Sequence, residues 1–272
     1  MNSALQKSLK PWWQLPSLWG IDTALAALCW GVFIAAHYQI TMLTVGPLLL
    51  LSATVWLCKM VSRLSRALSG QPVRYADYYR SHLAPMVPLF LAVLLAIFWT
   101  LFFRVGQYLL WFAFLPFIML GTSGFPGLRR LPCFSAFFLS AAFVFACAAP
   151  AYYYSFSLSP LSMLMSSPLW VLVCVVLLFY NIRSRGTGGS AVGSVFQSIC
   201  LLLIFVYCLL GLLRDPSYTH GFYLTIAAAV ACLQALSRAR SRLSEDVWYA
   251  IGWPLLALPA LLGIIVFAPE AW

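Results

Sequence analysis

Residues 56–82, WLCKMVSRLSRALSGQPVRYADYYRSH, decide how the chain is organised. An apolar helix that begins before this stretch ends within it and leads into the most basic loop of the protein. Five of the 16 Lys and Arg residues lie here, namely Lys59, Arg63, Arg66, Arg74 and Arg80. Because positive charge collects on the cytoplasmic side of membrane proteins, the stretch predicts both the end of a membrane span and its orientation.

The composition is that of a polytopic membrane protein. The 272 residues are 63% hydrophobic and 8% charged, with a mean hydropathy of +0.93, whereas about 25% of the residues of a globular domain are charged. A spanning helix needs about 20 apolar residues, so spans and loops use the whole length. We therefore expect a single transmembrane domain over residues 1–272.

The formal net charge of +10 would suggest nucleic acid as the partner of a soluble protein. In a membrane protein it is better explained by the positive-inside rule and by contact with anionic lipid headgroups. We expect membrane lipids as partners and no nucleic acid.

Nine apolar runs are long enough to be spans. In lipid the open edge of a sheet leaves backbone groups unpaired, so these runs predict helices, and the fold class is an all-α bundle of about nine transmembrane helices. The runs cover residues 20–38, 43–61, 83–103, 105–121, 133–151, 164–181, 193–213, 220–237 and 247–268.

The charges of the loops support this count. Taken from the N-terminus, every second loop is basic and together these loops hold 14 of the 16 cations, while the other loops hold only Arg104 and Arg214. If one helix had been missed, basic and non-basic loops would no longer alternate along the chain. The sequence therefore predicts a cytoplasmic N-terminus and an external C-terminus.

Enzyme motifs are absent from the sequence. It has three histidines and six acids, and it contains no HExxH, GxSxG, P-loop or GxGxxG pattern. The eight cysteines are scattered singly and mostly lie in apolar runs, where cysteine behaves as a small hydrophobic residue. The sequence thus predicts no catalytic residue and no metal site of a common type.

Two basic segments have a more specific character. At helical spacing, Lys59, Ser62, Arg63 and Arg66 place cations around the last turn of the second span, which snorkelling and the helix dipole explain in part. The second segment, residues 179–194, has the sequence FYNIRSRGTGGSAVGS. Its backbone amides could bind phosphate, but such a loop is also typical of a flexible linker.

These two segments resemble the cytoplasmic segments of the UbiA-type intramembrane prenyltransferase superfamily. In divergent bacterial members the second helix ends in a pattern like WLxYxxDRLxD, followed by an Arg- and His-rich segment. The matching stretches here are WLCKMVSRLSR at 56–66 and RYADYYRSH at 74–82, and IDTALAALCW at 21–30 is similar to the first helix of the family. The resemblance implies a UbiA-like fold, a prenyltransferase-like ancestry and a bacterial inner membrane.

The chain departs from the family where the chemistry would occur. UbiA-type enzymes bind magnesium through aspartates on both segments. The positions of the two aspartates of the first motif are occupied in this chain by Ser62 and Arg66. The second segment keeps Asn181 but has no acid from there to Arg214. Since magnesium is usually bound through one or two carboxylates, we expect no magnesium, and therefore no cofactor and no metal-assisted loss of diphosphate.

The leading hypothesis is a UbiA-like protein, non-catalytic or altered, whose basic cytoplasmic mouth binds an isoprenoid, a phosphorylated lipid or another anionic lipid. Arginine binds phosphate groups in a bidentate manner without a metal. The expected binding residues are Ser62, Arg63, Arg66, Arg74, Arg80, Asn181, Arg183 and Arg185.

Two alternatives remain open. One is an active prenyltransferase whose carboxylates come from Asp22, Asp77 and the Glu245–Asp246 pair, although an acid such as Asp22 in the first turn of a helix is commonly structural. The other is a transporter or a subunit of a membrane complex, which the unmatched positions of the prolines favour less.

Overall fold

A computed structural model describes residues 14–40, 45–68, 76–100, 132–154, 165–184, 191–215 and 219–267. Within these ranges the regular elements are all helical. The helices are α1 (Leu15–Leu18), α2 (Ile21–His37), α3 (Val45–Leu68), α4 (Ala76–Ser81), α5 (Leu83–Thr100), α6 (Pro132–Tyr154), α7 (Ser167–Ser184), α8 (Ala191–Arg214), α9 (His220–Ala239), a 3₁₀ turn (Arg240–Arg242) and α10 (Glu245–Phe267).

Eight of the predicted spans fall on long helices, which are α2, α3 and α5 to α10. The remaining predicted span, 105–121, lies outside the described residues, so the count of nine and the UbiA-like arrangement stay predictions. Wherever the two can be compared, the apolar runs located the helices to within a few residues, except at the end of α3.

Within the described ranges, five helices contain a segment long and apolar enough to cross a membrane. The segments are Val45–Ser65, Leu83–Thr100, Val195–Arg214, His220–Ala239 and Val247–Phe267. Three further helices, α2, α6 and α7, contain shorter apolar segments of 10–17 residues. By length and composition, the chain is a helical integral membrane protein.

Helix α2 lies at the centre of the bundle. It packs against α3, α6 and α10, and Ala26, Ala27, Trp30 and Ile34 along it are completely buried. The indole Nε1 of Trp30 donates a hydrogen bond of 3.0 Å to the carbonyl of Leu256 on α10. This bond satisfies the single polar atom that the largest side chain of α2 brings into the core.

The two edges of the bundle are far less buried. Helix α8 packs mainly on α9, and α5 packs mainly on α3. Within α5 only Met86 and Ile97 are buried, and most of its other side chains are exposed, including Leu95 and Trp99. Such apolar faces would be a liability in water, whereas in a bilayer they are the surfaces that meet lipid.

Helix α3 continues about two turns beyond the predicted end of its span, to Leu68. The chain then returns and forms the short helix α4, which packs against α3. Nε and Nη2 of Arg80 on α4 donate hydrogen bonds of 3.1 and 2.8 Å to the carbonyl of Ala67. These bonds satisfy an end carbonyl of α3 with a cation, an arrangement that also suits the negative end of the helix dipole.

Candidate functional site

A polar cluster lies at the end of the bundle that carries the basic loop after α3. We call it the mouth cluster and define it as Asp22, Thr23, Lys59, Arg63 and Tyr79. It joins the start of α2 to the last turns of α3 and to α4. The sequence drew attention to Lys59 and Arg63 of this cluster as cations, and to Asp22 as a structural acid.

Lys59 faces into the bundle. Its Nζ donates a hydrogen bond of 2.8 Å to Oγ1 of Thr23 and lies 4.8 Å from the ring centroid of Trp253 on α10. The second contact is a cation–π interaction, which gains strength away from water. Simple snorkelling would have carried this ammonium group outwards, so the observed placement brings a positive charge inside the helical bundle.

Asp22 supplies the matching negative charge. Its side chain is only 4% exposed, and Oδ1 accepts hydrogen bonds of 2.8 Å from the backbone N–H of Thr23 and 3.2 Å from its hydroxyl. The Thr23 hydroxyl thus accepts from Lys59 and donates to Asp22, so it links the cation to the carboxylate. Oδ2 of Asp22 is buried and has no hydrogen-bond partner in the described part of the chain, so it can accept one more donor.

Arg63 holds three elements together. Its Nη1 lies 2.5 Å from the carbonyl of Ser17, 3.2 Å from that of Leu18 and 3.1 Å from the hydroxyl of Tyr79. Tyr79 in turn donates a hydrogen bond of 2.8 Å to the Leu18 carbonyl. Burial raises the pKa of Tyr79, and the positive charge of Arg63 opposes this shift. The phenol therefore stays a neutral donor within the mouth cluster.

The turn between α1 and α2 places these carbonyls. Gly20 adopts the left-handed conformation with φ of 69°, and a Cβ atom there would lie 3.3 Å from Cγ of Lys59. Both the conformation and the close approach favour glycine. Trp56 on α3 fixes the same turn, because its Nε1 donates a hydrogen bond of 2.7 Å to the carbonyl of Trp19.

The eight predicted binding residues have different placements. Ser62 and Arg63 lie on α3, Arg80 on α4 and Asn181 on α7. Helices α3 and α7 both pack against α6. Arg66 and Arg183 belong to α3 and α7, but their side chains lie outside the described part, as do residues 74 and 185 altogether. The convergence of the two basic segments therefore stays a prediction.

The carboxylates of the alternative transferase site differ in their surroundings. Asp22 is buried, whereas the side chain of Asp77 is fully exposed and lies 3.7 Å from Arg80. The side chains of Glu245 and Asp246 lie outside the described part. Among the described residues, no group of three or more His, Cys, Asp or Glu side chains could hold a metal ion.

Sequence reasoning missed three members of this region: Thr23, Tyr79 and Trp253. Thr23 could have been noticed as the neighbour of Asp22, and Tyr79 as an aromatic residue inside a basic loop. Trp253 gave no signal, because a tryptophan in an apolar run is ordinary.

A second group of contacts lies at the opposite end of the bundle. The hydroxyl of Tyr223 donates a hydrogen bond to Oδ2 of Asp215 and lies 3.4 Å from the hydroxyl of Ser167. A ring nitrogen of His220 lies 3.1 Å from the carbonyl of Asp215. These contacts fasten the α8–α9 connection to α7, which is a structural role.

Comparisons of the chain with models of protein families, with curated proteins and with solved structures give no match.

Proposed function

We propose that the chain is a UbiA-like protein of a bacterial inner membrane whose basic mouth binds an isoprenoid phosphate or another anionic lipid without magnesium. In this proposal the lipid-binding mouth comprises Lys59 of the mouth cluster and the eight binding residues expected from the sequence. The observation that carries the proposal is the inward placement of Lys59, since an ammonium group inside a membrane protein is costly and commonly marks a binding site.

The surroundings of Lys59 suit an anionic headgroup. The ammonium group lies against the ring of Trp253 and is linked through Thr23 to the carboxylate of Asp22. The aromatic ring and the neighbouring apolar core favour the hydrocarbon part of a lipid, and the cation favours its phosphate. Arg63 organises the wall of this mouth through its bonds to α1 and α4.

The residues at the family's metal positions support binding without magnesium. Ser62 and Arg66 stand where the first motif has aspartates, and Arg183 follows Asn181 in the second segment. A cationic side chain neutralises a diphosphate directly and repels a divalent metal. Binding of the lipid then needs no metal, and the leaving-group activation that a metal supplies is missing.

The test is binding of farnesyl diphosphate to the detergent-purified protein, with and without magnesium. We expect binding that is independent of magnesium and that weakens about tenfold in Lys59→Gln, the effect of losing one charge-assisted hydrogen bond. Arg214→Gln is the matched control. It also removes one positive charge, but Arg214 is exposed at the end of α8, on the side of the bundle opposite the mouth cluster.

Two results would contradict the proposal. Tight binding or turnover that requires magnesium would refute the metal-free site. An equal loss of affinity in Lys59→Gln and Arg214→Gln would show that only net charge matters, and it would remove Lys59 from the site.

The second candidate is an active prenyltransferase that uses non-standard acids. The unpartnered Oδ2 of Asp22 favours it, because a carboxylate oxygen with spare capacity is a suitable ligand for magnesium. This candidate predicts magnesium-dependent release of diphosphate from a prenyl diphosphate in the presence of an acceptor, with loss of that activity in Asp22→Asn. Release that is unchanged in Asp22→Asn would exclude it.

A further inference from the structure

A groove lies between α8 and α9, away from the mouth cluster. Its volume is about 450 Å³, within the range of small-molecule sites, which is roughly 300–1,000 Å³. The walls are mainly apolar and include Val195, Ile199, Leu202, Phe205, Val230 and Ala231. Several of these side chains are exposed on the outer surface of the bundle, so the groove opens sideways, where lipid would enter.

One end of the groove is polar. Gln234 of α9 donates a hydrogen bond of 3.2 Å from Nε2 to the hydroxyl of Ser198 on α8. The other terminal atom of this amide, Oε1, is buried and has no hydrogen-bond partner in the described part of the chain. Arg238 also lines the groove, is exposed, and lies one helical turn beyond Gln234 on the same face of α9.

The length of the groove matches one leaflet. Its lining residues run from 195 to 205 along α8, which corresponds to about 15 Å of helix. The hydrocarbon core of a bilayer is about 30 Å thick, so the groove reaches roughly to its middle. Arg238, at the polar end of the groove, is followed by the basic turn Arg240–Arg242. This turn lies on the predicted cytoplasmic side, where anionic lipids are concentrated.

From these features we infer that the groove is a binding site for an anionic phospholipid of the cytoplasmic leaflet. One acyl chain lies along the apolar wall, the phosphate accepts hydrogen bonds from Arg238, and a headgroup hydroxyl donates to Oε1 of Gln234. A choline headgroup has no hydrogen-bond donor and places its own cation near Arg238, so the site discriminates against phosphatidylcholine. This site shares no residue with the mouth and does not depend on the proposed function.

The experiment uses the full chain in nanodiscs that contain phosphatidylcholine and a small fraction of phosphatidylglycerol with a photoactivatable acyl chain. Irradiation and peptide mapping then locate the crosslinks, and native mass spectrometry counts retained lipid. We expect crosslinks within residues 195–205 and 230–238. We also expect retention of phosphatidylglycerol to fall about tenfold in Arg238→Gln, since a hydrogen bond to a charged group is lost.

Arg242→Gln is the matched control, because Arg242 is exposed, lies in the following turn and does not line the groove. It should retain the lipid as the wild type does. Ala231→Trp fills the groove from its exposed side and should abolish the crosslinks without disturbing the core. Crosslinks spread evenly over the bundle, equal retention of the two phospholipids, or equal losses in both arginine variants would each overturn the inference.

Discussion

Replacement of Arg63 by alanine should destabilise the bundle more than removal of any other described cation on α3 or α4. Nη1 has three acceptors within hydrogen-bond distance, but it carries two hydrogens, so two full bonds are the most it can make. A bond to a charged group contributes about 1.5–3 kcal/mol, and partial exposure of Arg63 reduces this. We expect a loss of about 2–4 kcal/mol.

Thermal unfolding in detergent can measure this loss with a thiol-reactive dye. The buried thiols of Cys58, Cys147 and Cys208 report unfolding, and the exposed Cys174 gives a constant background. At roughly 2–4 °C per kcal/mol for a chain of about this size, Arg63→Ala should lower the unfolding temperature by about 4–16 °C.

Arg80→Ala is the control, because it removes the same charge. The Arg80 side chain is 48% exposed and both of its hydrogen bonds go to the single carbonyl of Ala67. It should cause less than half the shift of Arg63→Ala. Arg63→Lys should recover part of the loss only, because an ammonium group lacks the planar fork of guanidinium. Equal shifts in the two alanine variants would refute the reasoning, since charge alone would then explain them.

Three further predictions concern packing, pH and topology. Gly263→Ala places a Cβ atom 2.6 Å from the ring of Phe33 and should lower the free energy of unfolding by about 1–3 kcal/mol. In the control Gly46→Ala the new Cβ meets nothing within 4 Å, so this variant should be neutral or slightly stabilising. The dye assay measures both variants. The pKa of Tyr79 is raised in the folded protein, so the neutral phenol stabilises the fold at pH values below the usual pKa of 10, and this contribution is lost as the pH rises. Heating scans at about pH 9 and pH 11 should therefore show a smaller effect of pH in Tyr79→Phe than in the wild type. An unchanged effect would contradict this prediction. The predicted nine spans would put the termini on opposite sides, so a fluorescent protein should be active at the N-terminus and alkaline phosphatase at the C-terminus. Activity of the same reporter at both termini would contradict this topology.

The positions of the helices could be read from the sequence because lipid allows few alternatives. A run of apolar residues in hydrocarbon must satisfy its backbone internally, so its limits predict the helix. The end of α3 was missed because its last turns are polar. Contacts of Arg63 and Arg80 hold these turns after the chain has turned back. Such contacts can be known only from the tertiary fold.

The inward side of each helix could not be predicted. In water the apolar stripe identifies the buried face, whereas in lipid both the buried and the exposed faces are apolar. The sequence therefore could not show that Lys59 turns towards Trp253, which lies almost 200 positions further along the chain. The α8–α9 groove was missed for the same reason, since its polar end depends on the pairing of Gln234 with Ser198.

The contact between α2 and α10 also bears on how the protein is made. Helix α2 is the first long helix described and α10 the last, yet the two pack together and Trp30 bonds to Leu256. Ribosomes add about 5–20 residues per second, so the 230 residues between His37 and Phe267 take roughly 10–50 seconds to synthesise. During that interval the inner face of α2 waits in the membrane without one of its main partners. Lipid or the insertion machinery must cover this apolar surface until α10 arrives.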